Sequence, residues 1–499
     1  QLSVFHMSKI RFASTVILSR GADNDPEVFL TKRAPELKFF GGYWVFPGGN
    51  LNKNLDYLDE NDSLDLALVR CAVREILEEI DILSSTLGKT FSKEEKQNLK
   101  TNLKDSPQKW TEFLAAFGAD FDYVNPVFRI TTPPFVPTRF DTQFMHVRLI
   151  GDETPEIDDY ELVDGSFMKP QAAVDAWESG DMDIAPPVLF LLRILAEHSL
   201  SSFMSHAIEE TRQLDNGRLH RVYFSPGIFM APLLTPTLPP ATTTNTLIVG
   251  TKKLFIIDPA TPDESEQARL FEKMDAMIGE GSTFEAILLT HHHIDHVGAV
   301  NAVSQRYQIP VRAHEECYKR IESGYIKGQP LQDGDQIDLG IALDGSSDWH
   351  LTVVHTPGHA VDHLCYLDSR YHAAIVGDML STISTILIDP PEGHMQTYLD
   401  SLHKLLTYPI KTLYPAHGPA NRDGAALIRQ YLQHRKEREK AVIDALTSEA
   451  QSIDELLPKI YDDVPEAVYP VASRSLLAGL IKLEEEAICK KSQQGWLLK

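Results

Sequence analysis

The chain has 499 residues, with 47 Lys plus Arg against 71 Asp plus Glu, a formal net charge of −24. Hydrophobic residues make up 43% and charged residues 24%, enough to build more than one core, which excludes a disordered chain. So acidic a surface repels phosphate backbones at long range, which disfavours RNA as a partner, and no apolar run approaches the roughly 20 residues of a membrane span.

Four cysteines, Cys71, Cys317, Cys365 and Cys489, stand far apart without a C-x-x-C. Neither a disulfide framework nor a thiolate zinc knuckle is expected from them. The first residues lack a signal-peptide pattern. Met7 reads as a natural start, with residues 1–6 an appended stretch, and the expected location is the reducing cytoplasm.

In chain order, residues 1–9 form an N-terminal segment. Short apolar strands are expected at 12–18 (FASTVIL) and 28–32 (VFLTK), around the polar turn GADNDP. A Gly-rich aromatic stretch, FFGGYWVFPGGN, leads into a polar acidic segment. Residues 66–80 then read as a helix with Leu66, Val69, Val73, Ile76 and Ile80 on one side. A further helical stretch ends at WTEFLAAFG, strands follow around PVFRITTPP and TQFMHVRLI, and helices return at PQAAVDAWES and PPVLFLLRILAEH. This first α/β unit spans 10–200, and the polar stretch 201–224 reads as a connecting helix or linker. From 225 to 422 strands alternate with helices, and 423–499 is mainly helical.

The densest chemistry lies at residues 290–298, T-H-H-H-I-D-H-V-G, between an apolar strand and a helix. In an extended segment residues two apart point the same way, so His291 and His293 can meet one metal ion. Asp295 and His296, at the turn into the helix, can reach a second. Imidazole and carboxylate are the donors that zinc and similar ions take. Three more such residues end later strands: His359 in TPGH, Asp378 in AAIVGD and His417 in YPAHG. The set divides into His291, His293 and His359 on one ion, Asp295, His296 and His417 on the other, with Asp378 bridging. Asp295 would also orient the attacking water. His363 is a candidate to stabilise an oxyanion or donate to a leaving group, with a purely supporting role as the alternative. His292 is expected to point away from the metals.

On these motifs residues 225–420 resemble the metallo-β-lactamase superfamily, whose fold is an αββα sandwich. The segments TPGHAVDHLCYL, GDMLST and YPAHGPAN, and TTTNTLIVGTKKLFIIDPA near the start, are most similar to the lactamase-like group that includes a mitochondrial-type endoribonuclease. The resemblance implies two Zn²⁺ ions, or iron or manganese, activating a hydroxide between them. It also implies a small winged-helix-like C-terminal unit.

In the first unit Glu75, Glu78 and Glu79 lie at i, i+3 and i+4 of the expected helix, so their carboxylates share a face, and Arg74 can steady Glu78. Such hard oxygen donors suit Mg²⁺ or Mn²⁺ bridging to phosphates; a solvated acidic face is the plain alternative. G-G followed by R-E-x-x-E-E resembles the Nudix box, and TPPFVPTRFDTQFM and ELVDGSFMKPQAAVDAW are similar to its insertion-containing branch of the CoA-diphosphatase type. The resemblance implies a Nudix α/β/α sandwich. Two positions depart from the pattern: Leu66 stands where the family has a glutamate, and Asp81 where it has a glycine.

The chain therefore reads as an α/β (α+β) multidomain protein, a Nudix-like unit fused to a binuclear metal hydrolase and a helical tail. The expected reaction is hydrolysis of a small-molecule thioester or ester, CoA- or nucleotide-linked. An RNA nuclease or phosphodiesterase using the same centre is the alternative, with a β-lactam third. The Nudix-like half is either a pyrophosphatase or a non-catalytic binding module. The basic run RQYLQHRKEREK at 429–440 is a candidate RNA contact, or a solvated helix whose charges pair internally.

Overall fold

Along the strand Arg11–Ala22 successive side chains part company. Val16 and Leu18 enter one hydrophobic cluster and Ile17 the other, as the two-residue period of a strand demands. On the neighbouring strand Asp25–Arg33, Val28 and Leu30 join Ile17 while Phe29 faces the opposite way. This sheet is thus buried on both faces. The helix Leu64–Ile80 covers the Val16 side through Leu68, Val73, Ile76 and Ile80, and the helices Pro170–Glu178 and Pro186–Glu197 cover the other. The strand order is Trp44–Val45, Asp25–Arg33, Arg11–Ala22, Phe140–Arg148, Val124–Thr131. The pair Arg11–Ala22 and Phe140–Arg148 runs parallel.

The computed structural model describes residues 10–37, 40–117, 121–132, 139–157, 161–215, 219 and 223–499. They fall into two units, the first ending at Pro226 and the second running Gly227–Lys499. Most of the TPPFVPTRF stretch lies outside the described residues. The polar stretch after residue 200 forms the helix Leu200–Asp215, and its Phe203 and Ala207 are buried in the Ile17 cluster, so this helix is part of the first unit's core.

The second unit holds two large sheets. In one, Ile326–Lys327, Pro310–Arg312, Thr283–Leu288, Lys253–Ile257, Thr243–Gly250 and Ile228–Leu234 lie side by side; in the other, Gln336–Gly340, Trp349–His355, Leu364–Asp368, Ala373–Gly377 and Thr412–Pro415. Helices Met395–Leu405 and Gly424–Ala445 pack Tyr398, Leu402, Ile428 and Tyr431 against Val354, Cys365 and Val376 of the second sheet. Hydrogen bonds tie the sheets at one rim: Tyr366 Oη donates to the Leu289 carbonyl (2.6 Å) and the Leu364 amide to that of Thr290 (2.7 Å). Asn245 Nδ2 donates to the carbonyls of Pro415 (2.8 Å) and Gly418 (2.7 Å). The ends of strands from both sheets therefore converge.

The tail packs the helices Ile453–Ile460 and Tyr469–Glu485 and the hairpin Cys489–Lys491 with Trp496–Leu498 around Leu456, Leu476, Leu480 and Trp496. Within the basic run, Arg435 donates to the Ile386 carbonyl, Arg438 pairs with Asp463 at 2.6 Å and Lys440 with Asp444. Those three cations are already engaged within the fold. Among the described residues no helix is long and apolar enough to cross a membrane.

Candidate metal centre

The histidine loop leaves the strand Thr283–Leu288 and turns into the one-turn helix Ile294–Val297. Asp378 directly follows Ala373–Gly377, and His417 lies two residues beyond Thr412–Pro415. His359 sits in the turn after Trp349–His355. Rim convergence brings all seven candidate residues together, in triads whose donor atoms lie within 4.8 Å of one another: His291, His293, His359; His291, His296, Asp378; and Asp295, His296, His417.

In the first group His291 Nε2 lies 3.0 Å and His359 Nε2 3.1 Å from His293 Nδ1. The outer nitrogens of His359 and His291 are spoken for. His359 Nδ1–H donates to the Leu387 carbonyl (2.8 Å) and His291 Nδ1 to Thr290 Oγ1 (3.0 Å). Three ring nitrogens then face one point with fewer protons than lone pairs, a donor set made for a cation. Burial, and then the neighbouring rings, push His293 down to about 3 and His291 well below its ordinary range.

Asp378 joins this group to the next. Its Oδ2 lies 3.5 Å from His359 Nε2, while Oδ1 lies 3.6 Å from His296 Nε2 and 3.3 Å from His417 Nε2. Asp295 stands 3.5 Å from His417 Nε2 and 3.9 Å from His296 Nε2. His296 Nε2 and Asp378 Oδ1 are buried atoms without a hydrogen-bond partner, a costly arrangement unless another group satisfies them. That orphaned pair, between imidazoles and carboxylates at these spacings, fits a second cation. Burial would lower His417, but Asp378 and Asp295 outweigh it and push the ring up to about 10; they and Asp258 likewise hold His296 well above its usual range. Such retained protons are what a bound cation would displace.

His363 lies beside the centre, and its contacts favour the supporting role over the catalytic one. It is fully buried, its Nδ1 hydrogen-bonds Thr356 Oγ1 (2.9 Å), and its Nε2 accepts from the Asp378 amide (3.1 Å). No ring nitrogen is left to face a leaving group. Gly377, at φ 47°, lets this packing happen, since a Cβ there would stand 2.7 Å from His363 Nε2.

Sequence reasoning missed three groups. Asp258, at φ 47° just after Lys253–Ile257, accepts from the Thr290 amide (2.8 Å), Thr290 Oγ1 (2.5 Å) and His296 Nδ1 (2.8 Å). Thr237 Oγ1 lies 3.4 Å from His417 Nε2 and hydrogen-bonds Asp295. Asn245 holds the loop that carries His417. All three stand in the TPT, TTTN and IIDP stretches, where nothing local marks them.

In the first unit, Ser63 caps the helix Leu64–Ile80 and Asp81 ends it in the left-handed conformation, φ 57°. The backbone there keeps the shape a glycine would favour, and Lys96 Nζ pairs with the Asp81 carboxylate at 2.8 Å. Arg74 donates to Glu75 (2.7 Å), Glu78 (2.9 Å), and through two nitrogens to the fully buried Asp56 (2.8 and 2.9 Å). Asp56 thus gives Arg74 a buried carboxylate from outside the helix. Glu79 accepts from the Gly48 amide at 2.8 Å, and Gly49 is in close contact with Glu75. Burial and mutual repulsion push Glu75 up to about 7 and Glu79 to about 8. Among the described residues the converging donor triads all lie in the second unit; the three glutamates share a face without meeting so closely.

Comparison with known proteins bears on the second unit. Residues 238–417 match the family described as the metallo-β-lactamase superfamily, and residues 452–496 a β-lactamase-associated winged helix domain. A β-lactamase-like protein 2 homolog of Caenorhabditis elegans is 26% identical over 254 residues, spanning 50% of this chain and 79% of that one. An atrochrysone carboxyl ACP thioesterase of Claviceps purpurea is 30% identical over 226 residues, spanning 44% and 67%. A crystal structure of a NUDIX hydrolase from Alicyclobacillus acidocaldarius superposes with a TM-score of 0.35 and 26% identity, over 40% of this chain and 95% of that one.

Proposed function

This chain belongs to the metallo-β-lactamase superfamily, and from that premise we propose that its second unit hydrolyses small-molecule thioesters or esters with a pair of divalent cations. The observation that carries the reading is the convergence of seven donor residues, two of which, His296 and Asp378, hold a buried polar atom without a hydrogen-bond partner. His291, His293 and His359 would hold one ion and Asp295, His296 and His417 the other, with Asp378 serving both. The pair, when bound, supplies Lewis acidity that polarises a carbonyl and eases the ionisation of water at neutral pH.

The protein's own part is orientation. Thr237 and His417 fix the Asp295 carboxylate, which could accept a proton from water. His363 acts as a positioning residue, holding the backbone of Asp378. Two large apolar side chains next to the centre's residues are exposed: Leu238, beside Thr237, at 54%, and Ile294, between His293 and Asp295, at 69%. An acyl chain suits such side chains better than a polyanion does, as does the −24 charge. The relative that is a thioesterase supports the same class. For the first unit we propose a Nudix-like fold in which Glu75, Glu78 and Glu79 take Mg²⁺ or Mn²⁺ against a diphosphate-linked substrate.

A substrate panel tests this: an acyl-CoA thioester, an acyl-carrier thioester, bis-p-nitrophenyl phosphate, short RNA and a β-lactam. Cleavage of a thioester with weak salt dependence is the expected result. RNA cleaved best, with activity collapsing as salt rises, would replace this reading with the nuclease. Glu78→Gln should abolish Mg²⁺-dependent pyrophosphate cleavage and leave thioester hydrolysis intact; no pyrophosphate cleavage in the wild type would make the first unit a binding module.

A further inference from the structure

His292 does point away from the seven donors, but not into solvent. Its Nδ1 lies 2.9 Å from Oδ1 of Asp362, which is fully buried. A buried carboxylate on one imidazole nitrogen is the arrangement that aims the other nitrogen at a metal. That other nitrogen, Nε2, lies 3.6 Å from Glu392 Oε1. The second oxygen of Glu392 stands 3.9 Å from Nε2 of His293, the ring nitrogen that the first group does not use. Both separations exceed a hydrogen bond, and Glu392 Oε1 is buried without a hydrogen-bond partner. Donors held about 2.1 Å from one ion in a tetrahedral array lie about 3.4 Å apart, so the spacing is close to that of a ligand set.

The backbone that carries Glu392 is also held in place. The Arg474 guanidinium donates to Asp389 Oδ1 (2.5 Å) and to the Pro390 carbonyl (2.7 Å), and the Gly393 and His394 amides donate to Asp389 and Gly358 carbonyls (2.8 Å each). Glu392 sits between these anchors.

We infer that His292, His293 and Glu392 form a third divalent-cation site at the rim of the paired centre. It is weaker than its neighbours: it has three protein donors, all three side chains are partly exposed, and the Arg320 guanidinium 3.9 Å from Glu392 Oε1 opposes a cation. Because His293 presents one nitrogen to each side, a cation at the rim would displace the proton on its Nε2 to water and leave the ring a bridging imidazolate, so occupancy of the rim is coupled to the catalytic pair. The site rests on the proposed paired centre for that shared ligand.

Equilibrium dialysis of the full-length holoprotein against stepped free Zn²⁺, read by elemental analysis, tests it. The wild type should keep two equivalents at low free zinc and take up a third at higher zinc. His292→Asn and Glu392→Gln should each lose the third and retain two, and Asp362→Asn should weaken it about tenfold or more. Saturation of the wild type at two, or a third equivalent unchanged in both variants, overturns the site. Fewer than two tightly held equivalents would strike at the paired centre itself, and at the rim site with it.

Discussion

Asp258 illustrates what a single residue does at this centre. It takes hydrogen bonds from Thr290 and His296, and through Thr290 it also steadies His291. Asp258→Asn puts a donor where His296 needs an acceptor, and should lower metal affinity about 10- to 100-fold while leaving the fold intact; metal-buffer competition measures it. Gly377→Ala should do more, because the substituent meets His363 and the φ of 47° strains any side chain there. A loss of about 1–3 kcal/mol in denaturant unfolding, together with displaced Asp378 and reduced metal content, is the expected outcome. At this scale the sequence was informative where donors cluster locally, as in H-x-H-x-D-H. It was silent on Asp258, Thr237 and Asn245, whose partners lie 32 to 180 positions away. It left His363 between a catalytic and a supporting role, since only the packed structure reveals that both ring nitrogens are engaged.

At the scale of elements, the helix Leu64–Ile80 was legible from its apolar period, and the acidic face from its spacing. What the sequence hid is the loop that completes it. The short helix Lys53–Asp56 delivers a buried carboxylate to Arg74 from the polar insertion, a segment that carries no periodic signal. Removing one partner of a buried ion pair leaves the other uncompensated. Asp56→Ala should therefore cost about 3–5 kcal/mol in the first unit, read as a lower urea midpoint by hydrogen exchange of residues 64–80. An unchanged midpoint would mean that Arg74 is held by Glu75 and Glu78 alone. The helix Leu200–Asp215 was similarly underrated, because Phe203 and Ala207 are too few in a polar stretch to announce a buried face.

For the whole molecule, two units with separate cores should answer differently to acid and to chelation. In the first unit burial pushes His146 down to about 4 from 6.5, and its ring meets Ser19 Oγ at 2.8 Å. The unfolded chain takes up the proton first. This stability, up to about 3 kcal/mol, is present above the unfolded value and is lost as pH falls through the folded one. His146→Gln should flatten that dependence in urea unfolding between those two pH values. Chelation should instead loosen the second unit, with hydrogen exchange rising in 289–297 and 376–379 and unchanged in 11–33. The measurement that bears most directly on the central claim is the metal content of purified wild type and Asp378→Ala, taken with thioester turnover on the same samples. Two equivalents of zinc, iron or manganese in the wild type, falling in the variant along with turnover, is the result the account predicts. A folded wild type that binds no metal when dialysed against zinc, yet cleaves the thioester, would contradict it.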